Sequence, residues 1–257
     1  TADADAVVEN GAISRLADAG VLLDDIDAEG NALTIVSFRT GELTATNGAI
    51  GSVGGTLTGA YGTLTLSADG GYSYAATAGA VDALAAGETA DDVFTYTVTD
   101  GASTDQAELR ITVTGANDAP KATASIDEVP ENGSINRLAD GGVLVNDTDI
   151  DGDSLSVAAI RAGALNDADA IDSSVGAAVA GSYGTLILNA DGTYSYTTTA
   201  TAVDGLAAGE TVTDIFTYTV TDGTSIDQQE LKITVTGVND PSIISITGTD
   251  VSVTRNA

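Results

Sequence analysis

The sequence predicts an all-β protein built from two tandem antiparallel sandwich domains, and three observations carry that prediction. First, the second half repeats the first without insertion or deletion. Glu9-Asn10-Gly11 returns as Glu131-Asn132-Gly133, Tyr61-Gly62-Thr63-Leu64 as Tyr183-Gly184-Thr185-Leu186, and Asn117-Asp118 as Asn239-Asp240, an offset of 122 in each case. Second, apolar residues alternate with Thr and charged residues at period two, the signature of half-buried strands. Third, these short runs are separated by Gly, Asp and Asn turns, about seven strands to a repeat, as in a sandwich.

The elements follow in order. Leu64 and Leu66, a turn at Asp69-Gly70, then Tyr72 and Tyr74 form one hairpin. Val81 to Glu88, with Val81 and Leu84 three apart, adds a helical turn. From Val93 to Thr99, Phe94, Tyr96 and Val98 point to one face and Thr95, Thr97 and Thr99 to the other. Asp100-Gly101 turns the chain into a strand carrying Leu109, Ile111 and Val113. Each has its partner in the second copy: Leu186, Leu188, Tyr194, Tyr196, Phe216, Tyr218, Val220, Leu231, Ile233 and Val235. The Gly/Thr/Ala-rich stretches 42–59 and 164–181 differ most between copies and read as a surface loop or an added edge hairpin. The domain boundaries expected are 1–118, 119–240, and a truncated start of a third repeat at 241–257.

Composition narrows the function. Eight Lys and Arg against 38 Asp and Glu give a net charge of −30. A phosphate-binding surface needs clustered cations, so nucleic acid and anionic membrane are excluded as partners. The hydrophobic fraction of 43% is too high for a disordered acidic chain. No Cys, Met, Trp or His is present, so there is no disulfide framework and no thiolate zinc site. With no His or Cys and no glycine-rich phosphate loop, the expectation is a non-enzyme. No apolar run approaches a membrane span and no signal peptide is visible. A cysteine-free, acidic, repeated chain suits a bacterial extracellular protein exported without an N-terminal signal.

The strongest chemical signal is Asn146-Asp147-Thr148-Asp149-Ile150-Asp151-Gly152-Asp153. Alternating carboxylates around a Gly converge hard oxygens, and calcium takes six to eight of them. An EF-hand is excluded by the missing Glu at position 12 of the loop and by the flanking strands. The first copy offers Asp25, Asp27, Glu29 and Asn31 around Gly30. Three weaker signals are Asn117-Asp118-Ala119-Pro120 at the boundary, Pro130-Glu131-Asn132, and Thr-Asp-Gly at Asp100 and Asp222.

Together these motifs resemble the cadherin repeat, an immunoglobulin-like sandwich. The interior runs Tyr61-Gly62-Thr63-Leu64, Leu84-Ala85-Ala86-Gly87-Glu88-Thr89 and Phe94 to Gly101 resemble the bacterial cadherin-like repeats called VCBS, found in large repeats-in-toxin surface adhesins. The resemblance covers nearly the whole chain twice. It implies Ca2+ bound between successive domains in an extended array. Carried over by position, the site would use Glu9, Asn117 and Asp118 with Asp149, Asp151 and Asp222; Glu88 and Asp92 stand where a further acidic loop contributes, although that motif does not match. Glu131, Asn239 and Asp240 would serve the next junction. Val8 replaces the Pro of the first motif in copy one, and Pro241 is shifted in the second linker; neither removes a ligand. The function implied is a calcium-stiffened extender of a bacterial cell-surface adhesin, in cell adhesion and biofilm, with neighbouring repeats as partners. The alternatives are a carbohydrate-binding module acting on surface glycans, or homophilic or filament-forming association of identical chains.

Overall fold

The computed structural model describes residues 2–77, 79–167 and 172–240; the expected third-repeat strand at 241–257 lies outside them. The first repeat contains β1 (Asp3–Val8), β2 (Ala12–Arg15), β3 (Thr34–Thr40), β4 (Ile50–Gly51), β5 (Thr56–Thr58), β6 (Thr63–Leu66), β7 (Tyr72–Ala75), β8 (Thr89–Thr99) and β9 (Thr104–Thr114). They form two sheets, ordered β1-β9-β8-β3-β4 and β2-β7-β6-β5. The second repeat contains β10 (Ser125–Pro130), β11 (Ser134–Arg137), β12 (Ser156–Ala162), β13 (Ala178–Ala180), β14 (Gly184–Leu188), β15 (Tyr194–Thr198), a four-residue helix α1 (Ala200–Val203), β16 (Thr211–Thr221) and β17 (Ile226–Thr236). Its sheets run β10-β17-β16-β12 and β11-β15-β14-β13.

Both predicted hairpins are present. β6 and β7 pair antiparallel, as do β8 and β9 from Thr99↔Thr104 down to Thr89↔Thr114. The helical turn expected near Val81 is a turn closed by Leu84 N donating to Val81 O at 3.0 Å, and its counterpart in the second repeat is α1. The uncertain stretch 42–59 resolves into two edges, β4 against β3 and β5 against β6. One pairing departs from the antiparallel expectation: β1 runs parallel to β9, and β10 parallel to β17. The cause lies in Glu9-Asn10-Gly11. Asn10 adopts φ +56°, a left-handed conformation that Asn tolerates. Gly11 N donates to Val8 O, and a Cβ on Gly11 would stand 2.7 Å from that oxygen. The chain therefore kinks out of the first sheet and enters the second as β2. Asn132 repeats the conformation.

The core lies between the sheets of each repeat. Tyr74 packs edge-on against Phe94 with ring centroids 6.2 Å apart, and Tyr196 against Phe216 at the same distance. Residues 92, 94, 96 and 98 of β8 share a face, so Asp92 points inward with the aromatics and is 3% exposed. Its carboxylate accepts from Tyr74 OH (2.6 Å), Ala60 N (2.7 Å) and Tyr61 N (3.0 Å). Asp214 makes the same set with Tyr196, Ser182 and Tyr183. The opposite face of β8 is also partly closed: Thr95 is buried and donates to Gly41 O. A second latch joins the sheets, where Arg15 of β2 meets Asp5 of β1 at 2.7 Å and Tyr72 OH donates to the same carboxylate.

Candidate metal centre

By contacts between residues the chain divides into two compact units. Of the described residues, the first takes those of 2–121 together with 148–155 and 221–226; the second takes those of 122–147, 156–220 and 227–240. The loops carrying Asp149–Asp153 and Asp222 thus fold with Glu9 and the linker at Asn117-Asp118. Four elements of this first unit bring carboxylates to one place: the kink after β1 with Glu9, the turn with Asp82, the linker with Asp118 and the 148–155 loop.

The loop shapes itself. Asp149 Oδ1 accepts from Asp151 N (3.0 Å) and Asp153 N (3.2 Å), a side-chain turn that Gly152 completes at φ +80°. One carboxylate oxygen each from Asp149, Asp151 and Asp153 lies within 4.8 Å of the others. The linker joins through its backbone, Asp118 N donating to Asp151 Oδ2 at 2.8 Å. Asn117 Nδ2 donates to Asp222 Oδ2 (2.9 Å) and to Asp118 O (2.7 Å). Glu9, brought in by the kink after β1, is 6% exposed and accepts from Ala116 N.

The charges are unbalanced. Burial, then the neighbouring Asp118, Asp82 and Asp151, hold the Glu9 carboxyl above its ordinary range. Burial, Asp151 and Asp82 do the same to Asp118. Asp118 Oδ2, Asp149 Oδ2 and Asp151 Oδ1 are buried and accept no hydrogen bond. A buried carboxylate oxygen without a donor is costly, so three at one place mark where a cation fits. All the donors are hard oxygens, the set calcium selects, and Asp82 completes a group of five carboxylates with Glu9, Asp118, Asp149 and Asp151.

The other expected site residues fall elsewhere. Asp222 anchors rather than converges: its Oδ1 holds Thr224 N and Ser225 N, its Oδ2 takes Asn117, and these bonds lower its pKa. Asp153 stays in the converging group, its carboxylate oxygen within 4.8 Å of those of Asp149 and Asp151, and is its exposed member. Asp147 belongs to the second unit, where Oδ1 accepts from Thr123 N and Oδ2 is buried without a partner; burial and nearby Asp227 push its pKa up to about 6. Asp92 is enclosed in the core by three donors, which separates it from the acidic cluster. Glu88 is an exposed turn residue whose Oε2 accepts from Ala85 N. Asp25 and Asp27 sit in the first repeat's own loop, with Asp100 in the facing turn. Asp25 accepts from Tyr96 OH, Asp27 from Glu29 N and Asn31 N, and Asp100 from Ala102 N and Ser103 N. Glu131 is 3% exposed and accepts from Val238 N, beside Asn239-Asp240. Asp82 was missed by motif reasoning, although its retention as Asp204 at the 122-residue offset was a signal in plain view.

Tandem β-sandwich repeats whose linker and loops gather carboxylates define the class. The chain belongs to the bacterial cadherin-like domain family, which matches residues 1–115 and again 117–237. Among solved structures it is similar to Drosophila N-cadherin EC1-4, at 11% identity and a TM-score of 0.40, covering 93% of this chain and 50% of that one. It is also similar to an endo-fucoidan hydrolase of glycoside hydrolase family 107 (17% identity, TM-score 0.28, covering 92% of this chain and 28% of the other). The four N-terminal Ig domains of Dscam1 align at 11% identity and a TM-score of 0.27, over 91% of this chain and 50% of theirs. The chain thus spans half or less of the length of these structures. No curated relative matches the sequence.

Proposed function

We propose that this chain is a calcium-stiffened extender segment of a bacterial cell-surface adhesin, structural rather than catalytic. The observation that carries the reading is the set of three buried, unpartnered carboxylate oxygens on Asp118, Asp149 and Asp151. Family membership supports an adhesive or spacing role, and repetition suits length and multivalency better than catalysis. Glu9, Asp82, Asp118, Asp149 and Asp151 would hold the ion, and Asn117 and Asp222 would fix the linker. Without metal the carboxylates repel one another, and calcium reverses the sign of that interaction. Extracellular calcium modules bind at about 10⁻⁴–10⁻³ M. At ten times the dissociation constant each occupied site adds about 1.4 kcal/mol to the bound arrangement. Calcium would therefore tie the linker to the 148–155 and 221–226 loops and stiffen the string. No described helix is long and apolar enough to cross a membrane. Calorimetric titration of calcium into chelated protein, paired with small-angle scattering, tests the reading. Saturable binding with a longer maximum dimension in calcium is expected. Identical scattering with calcium and with chelator would remove the stiffening role.

A further inference from the structure

The pair Asn-Gly occurs three times in the chain, at Asn10-Gly11, Asn47-Gly48 and Asn132-Gly133. It carries its own chemistry. Glycine leaves its backbone nitrogen unshielded, so that nitrogen can reach the side-chain carbonyl carbon of the Asn before it. The local sequences are alike: Glu-Asn-Gly-Ala, Thr-Asn-Gly-Ala and Glu-Asn-Gly-Ser. The fold therefore decides which of the three reacts.

Two are locked into the kinks after β1 and β10. Gly11 N donates to Val8 O at 2.9 Å and Gly133 N to Pro130 O at 3.1 Å, so each nucleophile is engaged. Asn10 and Asn132 both stand at φ +56°. Their neighbours are tied as well, Glu9 N to Thr114 O and Ala76 N to Gly11 O, and likewise Glu131 N to Thr236 O and Thr198 N to Gly133 O. Reaction there first requires local opening.

Asn47 differs. It is exposed, in the segment between β3 and β4. That segment is fastened on either side: Arg39 Nη2 donates to Glu42 O and Leu43 O, Thr40 N to Ala49 O (2.9 Å) and Ala49 N to Thr40 Oγ1 (3.0 Å). Between these ties, among the described residues, neither the Asn47 side chain nor Gly48 N makes a hydrogen bond. A Cβ on Gly48 would collide with Thr40 O, so the turn itself requires the glycine. The second repeat carries Asp169-Ala170 at the same offset and has no such pair there.

We propose that Asn47 is a site of spontaneous covalent modification, converted through a cyclic imide with Gly48 while Asn10 and Asn132 are protected by the fold. Gly48 N gives up its proton to solvent base and attacks Asn47 Cγ. The bond from Cγ to the side-chain nitrogen breaks and ammonia leaves. Water then opens the ring at one carbonyl to give aspartate at position 47, or at the other to give isoaspartate, in which the main chain runs through Cβ. Either product adds one negative charge, and isoaspartate adds one methylene to the main chain between Thr40 and Ala49. β4 has little to hold it, only Phe38↔Gly51 and Arg39↔Ile50. Gly51 lies against the Phe38 ring, which is 1% exposed. The lengthened path loosens β4 over Phe38, an age-dependent change confined to the first repeat.

Peptide mapping by mass spectrometry of protein incubated at mildly alkaline pH, folded and in urea, tests this. In the folded protein Asn47 should lose its side-chain amide at least about tenfold faster than Asn10 or Asn132, which must open first. In urea all three should convert at similar rates. Amide exchange followed by NMR should be faster at Thr40 N in the aged protein than in the fresh one, and Asn47→Ser should abolish both changes. Folded protein that converts Asn10 or Asn132 as fast as Asn47 would overturn the assignment. So would an Asn47 that survives in the folded protein and converts in urea. Unchanged exchange at Thr40 in protein carrying isoaspartate at position 47 would overturn the loosening of β4.

Discussion

The loops 25–31 and 147–153 have the same backbone logic and different surroundings. Asp27 Oδ1 accepts from Glu29 N and Asn31 N, as Asp149 Oδ1 does from Asp151 N and Asp153 N, and Gly30 and Gly152 share φ +80°. The turn is therefore intrinsic to the Asp-x-Asp/Glu-Gly sequence and forms without the linker. What differs is the burial around it. Asp151 is half-buried with an unpartnered oxygen, whereas its counterpart Glu29 is exposed. On the calcium reading, the 149–153 loop would hold the ion more tightly because neighbouring segments bring further carboxylates to it.

The largest expected effect separates the two loops directly. Asp149→Ala or Asp118→Ala should weaken calcium binding at the first centre by about tenfold or more, roughly 1.4 kcal/mol or above. Asp27→Ala should leave that binding step intact. A calorimetric isotherm that responds equally to all three would erase the distinction. Next in size is the core latch, which should be alike in both repeats. Asp92→Ala and Asp214→Ala each strand a tyrosine hydroxyl and two backbone N–H groups, and each should cost about 2–4 kcal/mol in denaturant unfolding. The loss should persist in calcium; rescue by calcium would place Asp92 in the metal centre instead.

A smaller effect concerns pH. Burial raises Glu9 and Asp118, and Asp147 to about 6. A raised folded-state pKa favours the folded protein while the group is protonated. That contribution is fully present below the unfolded value near 4 and is lost as pH climbs through the folded one. Chelated protein should therefore melt at a higher temperature near pH 5 than at pH 7, and calcium should narrow the gap. A chelated protein more stable at pH 7 would contradict it. Smallest is the kink: Asn10→Ala should cost about 1 kcal/mol for its left-handed conformation, and Asn10→Gly close to nothing, in thermal unfolding.

Much of this was legible in the sequence, for physical reasons. Strand periodicity is local, so the β6–β7 and β8–β9 hairpins and their inward Tyr, Phe and Leu residues stood out. Strand partnership across the chain is non-local, and nothing in Asp3–Val8 announces a parallel neighbour 106 residues away. At Asp92 the same parity that marks Phe94 and Tyr96 as inward also marks the carboxylate as inward, and a search by motif overlooked it. Asp82 stands alone in an alanine-rich turn with no motif around it. Only folding places it beside Glu9 and Asp118. The acidic motifs named the chemistry, but which oxygens are left without donors depends on the packed backbone.

The parallel pairing of β1 with β9 has a mechanical consequence. Each repeat begins with β1 and ends with β9, or β10 and β17 in the second, and because the paired strands run the same way their outer ends face in opposite directions. Tension applied through the chain therefore loads the six paired positions from Asp3↔Leu109 to Val8↔Thr114 in shear, together, and does not unzip them one by one. Each repeat should behave as a force-bearing clamp even without metal. Single-molecule pulling would show this as a high rupture force for each repeat in chelator, and a low, gradual extension would deny it.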